Sequence, residues 1–496
     1  MGVGWRGLTV VPLVAVLVGV PPAPIEQGGR ATPVGPTREV AYTLRYARPG
    51  DGTVHLALAP HPALVGAHDL VMPRAVPMGY GEAPYDAFVE DVSATGPDGA
   101  GVPVARLEGP RWRIGAEGAS IARVDYRVDV RRMERDILAA SDASRVRDGY
   151  VSLLGYSVFA YVDGLDGVAT RLSIDAPPGW PVVATLAPGA TGPGVREVRA
   201  GDFYALADSQ VMLGPGPRVR HVASAVPLTV VVYAEGEADD AAYAELADTA
   251  LRRVAAWFGD VPCDHYTVIQ ELLAPVSPRH QYGFSMEHLD SSTYYLSRDA
   301  GLTAASGADD RARVLYNFAH HVTHAWIPKR AFGEGYFPFR WELAPVLDTI
   351  WFSEGFAQYA AIAAVGAGEP DPPAYRAQMV ARRFREPLVA MPAFLRRMPL
   401  VELSRAASTR YSSDFRTGRT SFARGGLMAA EMDERIAART GGAKGLRDAL
   451  RGLMTWSRGS GRGFRIDELP AIFAEATGVD TRDILDRWLA PMPDRP

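Results

Sequence analysis

Asn317 to Ala331 reads NFAHHVTHAWIPKRA, and Trp351 to Tyr359 reads WFSEGFAQY. The first stretch has helical apolar spacing, with His320 and His324 four residues apart, so both imidazoles project from one face, one turn apart. The second stretch supplies Glu354 within an apolar run that indicates another buried helix. Two imidazoles and a carboxylate, with one position left open, form the ligand set of a catalytic zinc. We therefore predict one catalytic-type Zn²⁺ site on His320, His324 and Glu354.

Packed histidines are the alternative to a metal site. A lone HxxxH pair arises often by chance on helices, and its two histidines then belong to an ordinary core. The glutamate on a second buried helix makes chance a weaker explanation, because all three ligands of a catalytic zinc are then present. The metal site is the preferred interpretation, and an apo scaffold remains the weaker one.

Length and composition describe a folded protein of more than one domain. With 496 residues, 47% of them hydrophobic and 22% charged, the chain is too long for a single compact core. A formal net charge of -5 gives no basic face, so no nucleic-acid partner is expected. The single cysteine, Cys263, excludes an intramolecular disulfide.

Residues 1–27 are interpreted as a signal peptide or N-terminal anchor. Arg6 is followed by an uncharged apolar run that several prolines interrupt, which favours an export signal over a membrane-spanning helix. We expect an exported protein in the periplasm, the cell envelope or the extracellular space. An uncleaved anchor is the alternative, and the only membrane contact expected would be through this segment.

The rest of the chain divides into three regions. Period-2 alternation with frequent Gly, Pro and Asp turns predicts a sandwich-like β domain over residues 38–225. Helical and strand patterns then mix over residues 226–385, which contain both ligand stretches. Residues 386–496 are mostly of helical periodicity and predict a C-terminal helical domain.

The motif H-x-x-x-H followed by W-x-x-E-G-F-x-x-Y resembles the gluzincin metallopeptidases, and most of all the glycyl aminopeptidase family. The stretches LVMPRAVPMGYGEAPYDAFVEDVSA, residues 70–94, and DFYALADSQVMLG, residues 202–214, are also similar to that family. The likeness spans roughly residues 40–490. It implies a multi-domain α+β fold with an N-terminal β-sandwich-like domain, a thermolysin-like gluzincin catalytic domain and a C-terminal helical domain.

The segment QYGFSMEHLDSS, residues 281–292, resembles the family's Glu-His segment on the strand beside the metal. The resemblance implies that Glu287, with His288 next to it, binds the substrate and holds its free amino terminus. A carboxylate suits an ammonium group because it supplies both charge and hydrogen-bond acceptors. The alternative is that both are ordinary polar residues at a strand edge.

The chain departs from the family at the position of the catalytic base. The family reads H-E-x-x-H, and the glutamate, which takes a proton from the attacking water, is replaced here by His321. An imidazole can accept a proton, but a nearby Zn²⁺ disfavours the resulting imidazolium. Glu334 and Glu342, in the Gly/Pro/aromatic loop of residues 329–349, are the alternative catalytic carboxylates, unless they are solvated loop charges. That loop either shapes a substrate cleft or is a packed connector.

A second departure concerns the family's oxyanion donor. Where the family shows a tyrosine pair, this chain reads SFARGG, and Phe422 cannot donate a hydrogen bond. Tyr411 lies upstream and can substitute only if its loop folds back.

These features predict a secreted zinc metallopeptidase-like protein of aminopeptidase type, which hydrolyses peptides with a free N-terminus. The alternative is a catalytically impaired pseudopeptidase that keeps the zinc fold as a peptide-binding or assembly module. In both cases the expected partner is a peptide.

Overall fold

The computed structural model describes residues 38–77, 80–138, 142–187, 196–411 and 414–492. The predicted export segment, residues 1–27, lies outside these residues. No helix in the described part of the chain is both long and apolar enough to cross a membrane.

The described residues of the N-terminal part are rich in strands and include three short α-helices and a 3-10 helical turn, Tyr85–Phe88. Its first strand shows why: in EVAYTLR the side chains of Val40, Tyr42 and Leu44 are buried in alternation with more exposed neighbours, as the two-residue period of a strand requires. The elements are β1 (Glu39–Arg45), β2 (Thr53–His61), β3 (Leu64–Val65), β4 (His68–Val71), β5 (Val89–Thr95), β6 (Gly101–Val102), β7 (Val104–Arg106), β8 (Arg111–Ile114), β9 (Ser120–Ile121), β10 (Arg123–Asp129), α1 (Val130–Asp136), β11 (Arg145–Arg147), β12 (Tyr150–Leu154), α2 (Gly155–Val158), β13 (Tyr161–Val162), β14 (Ala169–Asp175), β15 (Val182–Ala184), β16 (Glu197–Ala200), α3 (Phe203–Ala207) and β17 (Gln210–Leu213).

These strands form a seven-stranded sheet in the order β16-β14-β1-β2-β10-β5-β6, two four-stranded sheets and a two-stranded one. The four-stranded sheets have the orders β11-β12-β17-β15 and β13-β4-β8-β7, and β3 pairs with β9. Within the large sheet, β1 runs antiparallel to β2 and parallel to β14.

A second, mixed sheet begins at residue 218. It has the order β18-β19-β20-β22-β21, with β18 (Arg218–Ala223), β19 (Pro227–Ala234), β20 (Tyr266–Leu273), β21 (Gly283–Glu287) and β22 (Ser291–Ser297). The three inner strands are parallel and the two edge strands antiparallel. Because β18 pairs with β19, residues 218–223 belong to this sheet, although the sequence placed them in the N-terminal domain.

Three helical segments accompany this sheet: α4 (Asp240–Phe258), α5 (Ala308–Thr323) and α6 (Ala357–Gly366). A π-helical turn, Trp351–Phe356, leads directly into α6. Helix α5 carries Asp309 and Asp310 in its first turn, where negative charge interacts favourably with the helix dipole.

The remainder of the described chain is helical: α7 (Pro372–Val380), α8 (Glu386–Ala390), α9 (Ala393–Arg397), α10 (Leu400–Arg410), α11 (Phe415–Arg439), α12 (Leu446–Ser460), α13 (Leu469–Thr477) and α14 (Arg482–Leu489), with a second π-helical turn at Ala381–Arg385. Apolar side chains of these helices share one core with α4, α5 and α6. The N-terminal sheets have a core of their own. The chain is thus a mixed α+β protein with a sheet-rich N-terminal part and a helical C-terminal part.

The loop between the two predicted ligand helices is a packed connector for much of its length. Tyr336, Phe339, Trp341 and Leu347 are buried in the core of the N-terminal sheets. This aromatic packing ties the N-terminal part to the segment that carries the metal-ligand candidates.

Candidate metal centre

The side chains of His320, His324 and Glu354 converge, and their ligand atoms all lie within 4.8 Å of one another. The two imidazole Nε2 atoms are 2.9 Å apart. Glu354 Oε2 lies 3.4 Å from Nε2 of His320 and 3.7 Å from that of His324. A point equidistant from these atoms is about 2.0 Å from each, which matches zinc–nitrogen and zinc–oxygen bonds of roughly 2.0–2.2 Å. The three side chains therefore fit one zinc ion.

The protonation of His324 also suits a ligand. Its Nδ1 lies 3.0 Å from the backbone carbonyl oxygen of Ile327. Because a carbonyl oxygen only accepts hydrogen bonds, the proton of the neutral ring is on Nδ1 and the lone pair is on Nε2. Burial lowers the pKa of His324 well below its ordinary value and, with the charge of Arg383, that of His320 to about 3. Both rings are thus neutral, as metal binding requires.

Glu354 is presented by the π-helical turn Trp351–Phe356. Such turns are rare and occur often at functional sites. Its two carboxylate oxygens have different surroundings: Oε2 faces the imidazoles, whereas the hydroxyl of Tyr80 donates a hydrogen bond to Oε1 at 2.9 Å. Burial raises the pKa of Glu354, opposed first by His324 and then by the hydrogen bond from Tyr80.

Tyr80 is a site residue that sequence reasoning missed. It lies in the loop between β4 and β5, far from Glu354 in the chain, and is 6% exposed. Its φ of 48° is rare for a residue with a side chain. The signal available in the sequence was its position between Gly79 and Gly81, within the stretch of residues 70–94 that resembles the glycyl aminopeptidase family.

Glu287 lies at the end of β21, close to the cluster. The carboxyl group is buried, and Oε1 has no hydrogen-bond partner among the described residues. Burial raises the pKa of Glu287 well above its ordinary value, and the charge of Glu354 raises it further, while Lys329 lowers it. A buried, unpartnered acceptor beside a second carboxylate favours a cationic ligand group.

His288 makes structural contacts. Its Nε2 lies 2.8 Å from the side-chain nitrogen of Gln210 and its Nδ1 3.2 Å from Oδ1 of Asp208. Asp208 also accepts a hydrogen bond from Lys329 at 3.0 Å. Since both ring nitrogens have protein partners, His288 supports the strand next to Glu287, and its predicted contact with substrate stays a prediction.

His321 does not belong to the three-ligand cluster. Its Nδ1–H donates to the carbonyl oxygen of Asn317, one turn earlier, at 2.9 Å. The ring packs edge-on against Tyr294, with centroids 5.0 Å apart. Burial, with a contribution from His320, lowers the pKa of His321 to about 3. The imidazole is thus held by its own helix and is a weak proton acceptor.

The metal-ligand group found among the described residues does not include Glu334 or Glu342, and their catalytic role stays a prediction. Glu342 accepts two hydrogen bonds from the guanidinium of Arg111, one of them at 2.7 Å. Glu334 lies by a groove with Asp348 and Arg465. The carboxylate of Glu342 is thus engaged by Arg111. The buried aromatic side chains of this loop agree with the packed-connector alternative for much of its length.

Phe422 is the end of a row of three aromatic rings whose other members are tyrosines. Its ring centroid is 5.4 Å from that of Tyr411, which in turn is 6.0 Å from that of Tyr80. The pKa of Tyr411 is raised by burial and then by the charge of Glu354, with Glu287 also contributing. The ring of Tyr411 therefore lies next to that of Tyr80, whose hydroxyl contacts Glu354, and its role in place of a tyrosine at position 422 stays a prediction.

Comparison with known proteins identifies the class of fold. Residues 41–215 match the family described as Peptidase M61 N-terminal domain. An aminopeptidase N family protein from Idiomarina loihiensis superposes with a TM-score of 0.78 at 18% sequence identity, over 92% of this chain and 76% of that one. A variant of the M1 zinc metallopeptidase from Deinococcus radiodurans, solved with a Tyr-Ser-Ala substrate, gives a TM-score of 0.55 at 15% identity, over 92% and 95%. No curated protein sequence matches the chain.

The fold is therefore similar to that of the M1 zinc metallopeptidases and of the aminopeptidase N family. The Deinococcus neighbour is described as a zinc metallopeptidase, and in the present chain the side chains of His320, His324 and Glu354 form a group that could hold one metal ion. The more specific resemblance to the glycyl aminopeptidase family stays a prediction.

Proposed function

We propose that this chain is an exported zinc metallopeptidase-like protein of aminopeptidase type, with a thermolysin-like gluzincin site, that acts on peptides with a free N-terminus. The observation that carries the proposal is the triangle of ligand atoms from His320, His324 and Glu354, whose size fits one zinc ion. The fold similarity to zinc metallopeptidases supports the same assignment.

His320, His324 and Glu354 would hold the zinc. Bound there, zinc supplies Lewis-acid polarisation of a scissile carbonyl and activation of water. The protein's own contribution begins with the backbone carbonyl of Ile327, which fixes the tautomer of His324. It continues with burial, which keeps the imidazoles neutral and the site apolar.

Glu287 would bind the substrate's amino terminus. Its Oε1 is buried without a hydrogen-bond partner among the described residues, and an ammonium group would supply both the missing donor and a compensating charge. Blocking the amine removes that charge and leaves the carboxylate unsatisfied. We therefore propose that acetylated peptides bind poorly.

Proton handling is the weak step of this site. His321 donates from Nδ1 to its own helix, and its basicity is low. The hydroxyl of Tyr411 replaces the one that Phe422 lacks. Since a positioned general base contributes typically about 10²–10⁴-fold, we propose that turnover is slow compared with a site that carries a glutamate at position 321.

The second candidate function is a pseudopeptidase, which keeps the zinc fold to bind peptides or to assemble with a partner. The observation that favours it is the position of His321, whose ring is packed against Tyr294 and bonded to Asn317. In this case Glu287 would still bind the amino terminus of the peptide, but without hydrolysis.

The test combines metal analysis with hydrolysis. We expect purified protein to contain about one equivalent of zinc, and Glu354→Ala to lose it. Wild-type protein should slowly hydrolyse Tyr-Ser-Ala, chosen because the Deinococcus neighbour was solved with it, and not its acetylated form. Glu342→Ala is the matched control: it removes a carboxylate that pairs with Arg111 and should retain zinc.

The outcomes separate the candidates. A zinc content below about half an equivalent in the wild type would contradict the proposed metal site. Zinc with amine-dependent peptide binding but no hydrolysis would support the pseudopeptidase. Hydrolysis that survives Glu354→Ala would originate from a contaminant or from another site.

A further inference from the structure

The two oxygens of the Glu354 carboxylate have different surroundings, and the side chain of Gln358 is a further hydrogen-bond partner of the group. Oε2 faces the imidazole nitrogens of His320 and His324, at 3.4 and 3.7 Å. Oε1 accepts a hydrogen bond from the hydroxyl of Tyr80 at 2.9 Å. With Oε1 engaged, only Oε2 is directed at the position where a cation would bind.

Tyr80 comes from the N-terminal part of the chain, in a loop that is tied to the segment between the ligand helices. The loop is closed by a β-bridge between Ala75 and Glu82. The backbone nitrogen of Ala75 donates to the carbonyl oxygen of Trp341 at 2.9 Å, and that of Ala344 donates to Oε1 of Glu82 at 2.9 Å. These contacts set the position of the tyrosine relative to Glu354.

The backbone of Tyr80 has a strained conformation that holds its side chain in this position. A φ of 48° is unfavourable for a residue with a Cβ atom, and such conformations persist where surrounding contacts impose them. The ring is buried and meets that of Tyr411 edge-on.

We propose that Tyr80 is a positioning residue for the metal centre: by occupying Oε1, it makes Glu354 a ligand through Oε2 alone. The N-terminal domain thereby completes the zinc site, and a coordination position is left for water or substrate. The inference rests on the proposed zinc site. It extends that site by one residue, Tyr80, which lies outside the segments that carry the ligands.

The test is Tyr80→Phe, which removes one hydroxyl and keeps the ring. Tyr42→Phe is the matched control, because its buried hydroxyl donates to the carbonyl oxygen of Ala160, away from the ligands. Zn²⁺ affinity is measured by competition with a chelator, and the coordination number from the absorption of the Co²⁺-loaded protein. We expect Tyr80→Phe to weaken zinc binding by about 10–100-fold and to change the Co²⁺ spectrum as Oε1 joins the coordination. Tyr42→Phe should match the wild type in both.

The rise in unfolding temperature on adding zinc separates binding from folding. It should shrink for Tyr80→Phe and stay at the wild-type value for Tyr42→Phe, even if both apo forms melt lower. If Tyr80→Phe has the same zinc affinity, Co²⁺ spectrum and zinc-induced rise in unfolding temperature as the wild type, the inference is wrong, while the proposed function is unaffected. Absence of zinc binding in the wild type and both variants would overturn the two together.

Discussion

At the scale of single residues, the site combines three metal-ligand candidates with a histidine, His321, at the position where the sequence resemblance implies a catalytic base. His320 and His324 present neutral nitrogens, and Glu354 presents one oxygen. The glycyl aminopeptidase family, which the sequence resembles, has a glutamate at the position of His321. The Nδ1–H of His321 instead donates a hydrogen bond to the backbone of its own helix. The ligand geometry and the proton chemistry can therefore be tested separately.

The first prediction concerns His321→Glu. A carboxylate there would accept a proton without creating a cation beside zinc, so we expect turnover of Tyr-Ser-Ala to rise by about 10²–10⁴-fold. His321→Gln is the control, because it removes the imidazole without adding a base. Zinc content and far-ultraviolet circular dichroism are measured for both variants.

A failure of this variant would also be informative. If His321→Glu retains zinc and fold but turns over no faster than His321→Gln, the cleft lacks more than its base. That result would favour the pseudopeptidase.

At the scale of elements, a helix crossing positions the turn that bears Glu354. Gly425 of α11 packs backbone against backbone on the π-helical turn: a Cβ atom at Gly425 would lie 1.9 Å from the carbonyl oxygen of Trp351, and one at Gly355 2.5 Å from the carbonyl carbon of Gly425. Glycine at both positions is what lets the two segments approach so closely.

The second prediction follows from this contact. Gly425→Ala should push α11 away from the turn, lower the unfolding temperature by several degrees and weaken zinc binding, because Glu354 moves with its turn. Gly459→Ala, in α12, is the control, since a Cβ atom there meets nothing within 4 Å. In that variant alanine should stabilise the helix slightly, by about 0.5–1 kcal/mol.

Differential scanning calorimetry measures the unfolding temperature, and zinc titration measures the affinity for zinc. If Gly425→Ala melts and binds zinc as the Gly459→Ala protein does, the close crossing has no role in holding the turn.

At the scale of the whole molecule, buried ion pairs join the N-terminal sheets to the second sheet. Arg145 of β11 donates to Glu271 of β20 at 2.7 Å, and both side chains are fully buried. Tyr150 also donates to Glu271. Because a buried charge without its partner is costly, this contact makes the arrangement of the two parts specific.

The third prediction is that Glu271→Gln strongly destabilises the protein. Removing one partner of a buried pair costs about 3–5 kcal/mol, so we expect a clear fall in unfolding temperature. Asp125→Asn is the control, because its pair with Arg123 is exposed and contributes roughly 0–1 kcal/mol. Equal melting of the two variants would show that the buried pair adds no specific stability.

The sequence by itself determined the fold class and the metal-ligand candidates. Period-2 and helical patterns depend on nearest neighbours along one element, and His320 and His324 are one turn apart on one helix, so local periodicity was enough to pair them. Glu354 was found from its own local motif. The place of β18 was not found, because strand pairing depends on a partner strand and a single strand's pattern is the same in either sheet.

Only the tertiary structure decided which other groups reach the site. Tyr80 and Glu354, which are 274 positions apart in the chain, form a hydrogen bond. Glu342 accepts hydrogen bonds from Arg111, and His321 donates one to the backbone of its own helix. Such contacts depend on how separate elements pack and on which partner a side chain meets at close range. Spacing along the chain carries no information about either.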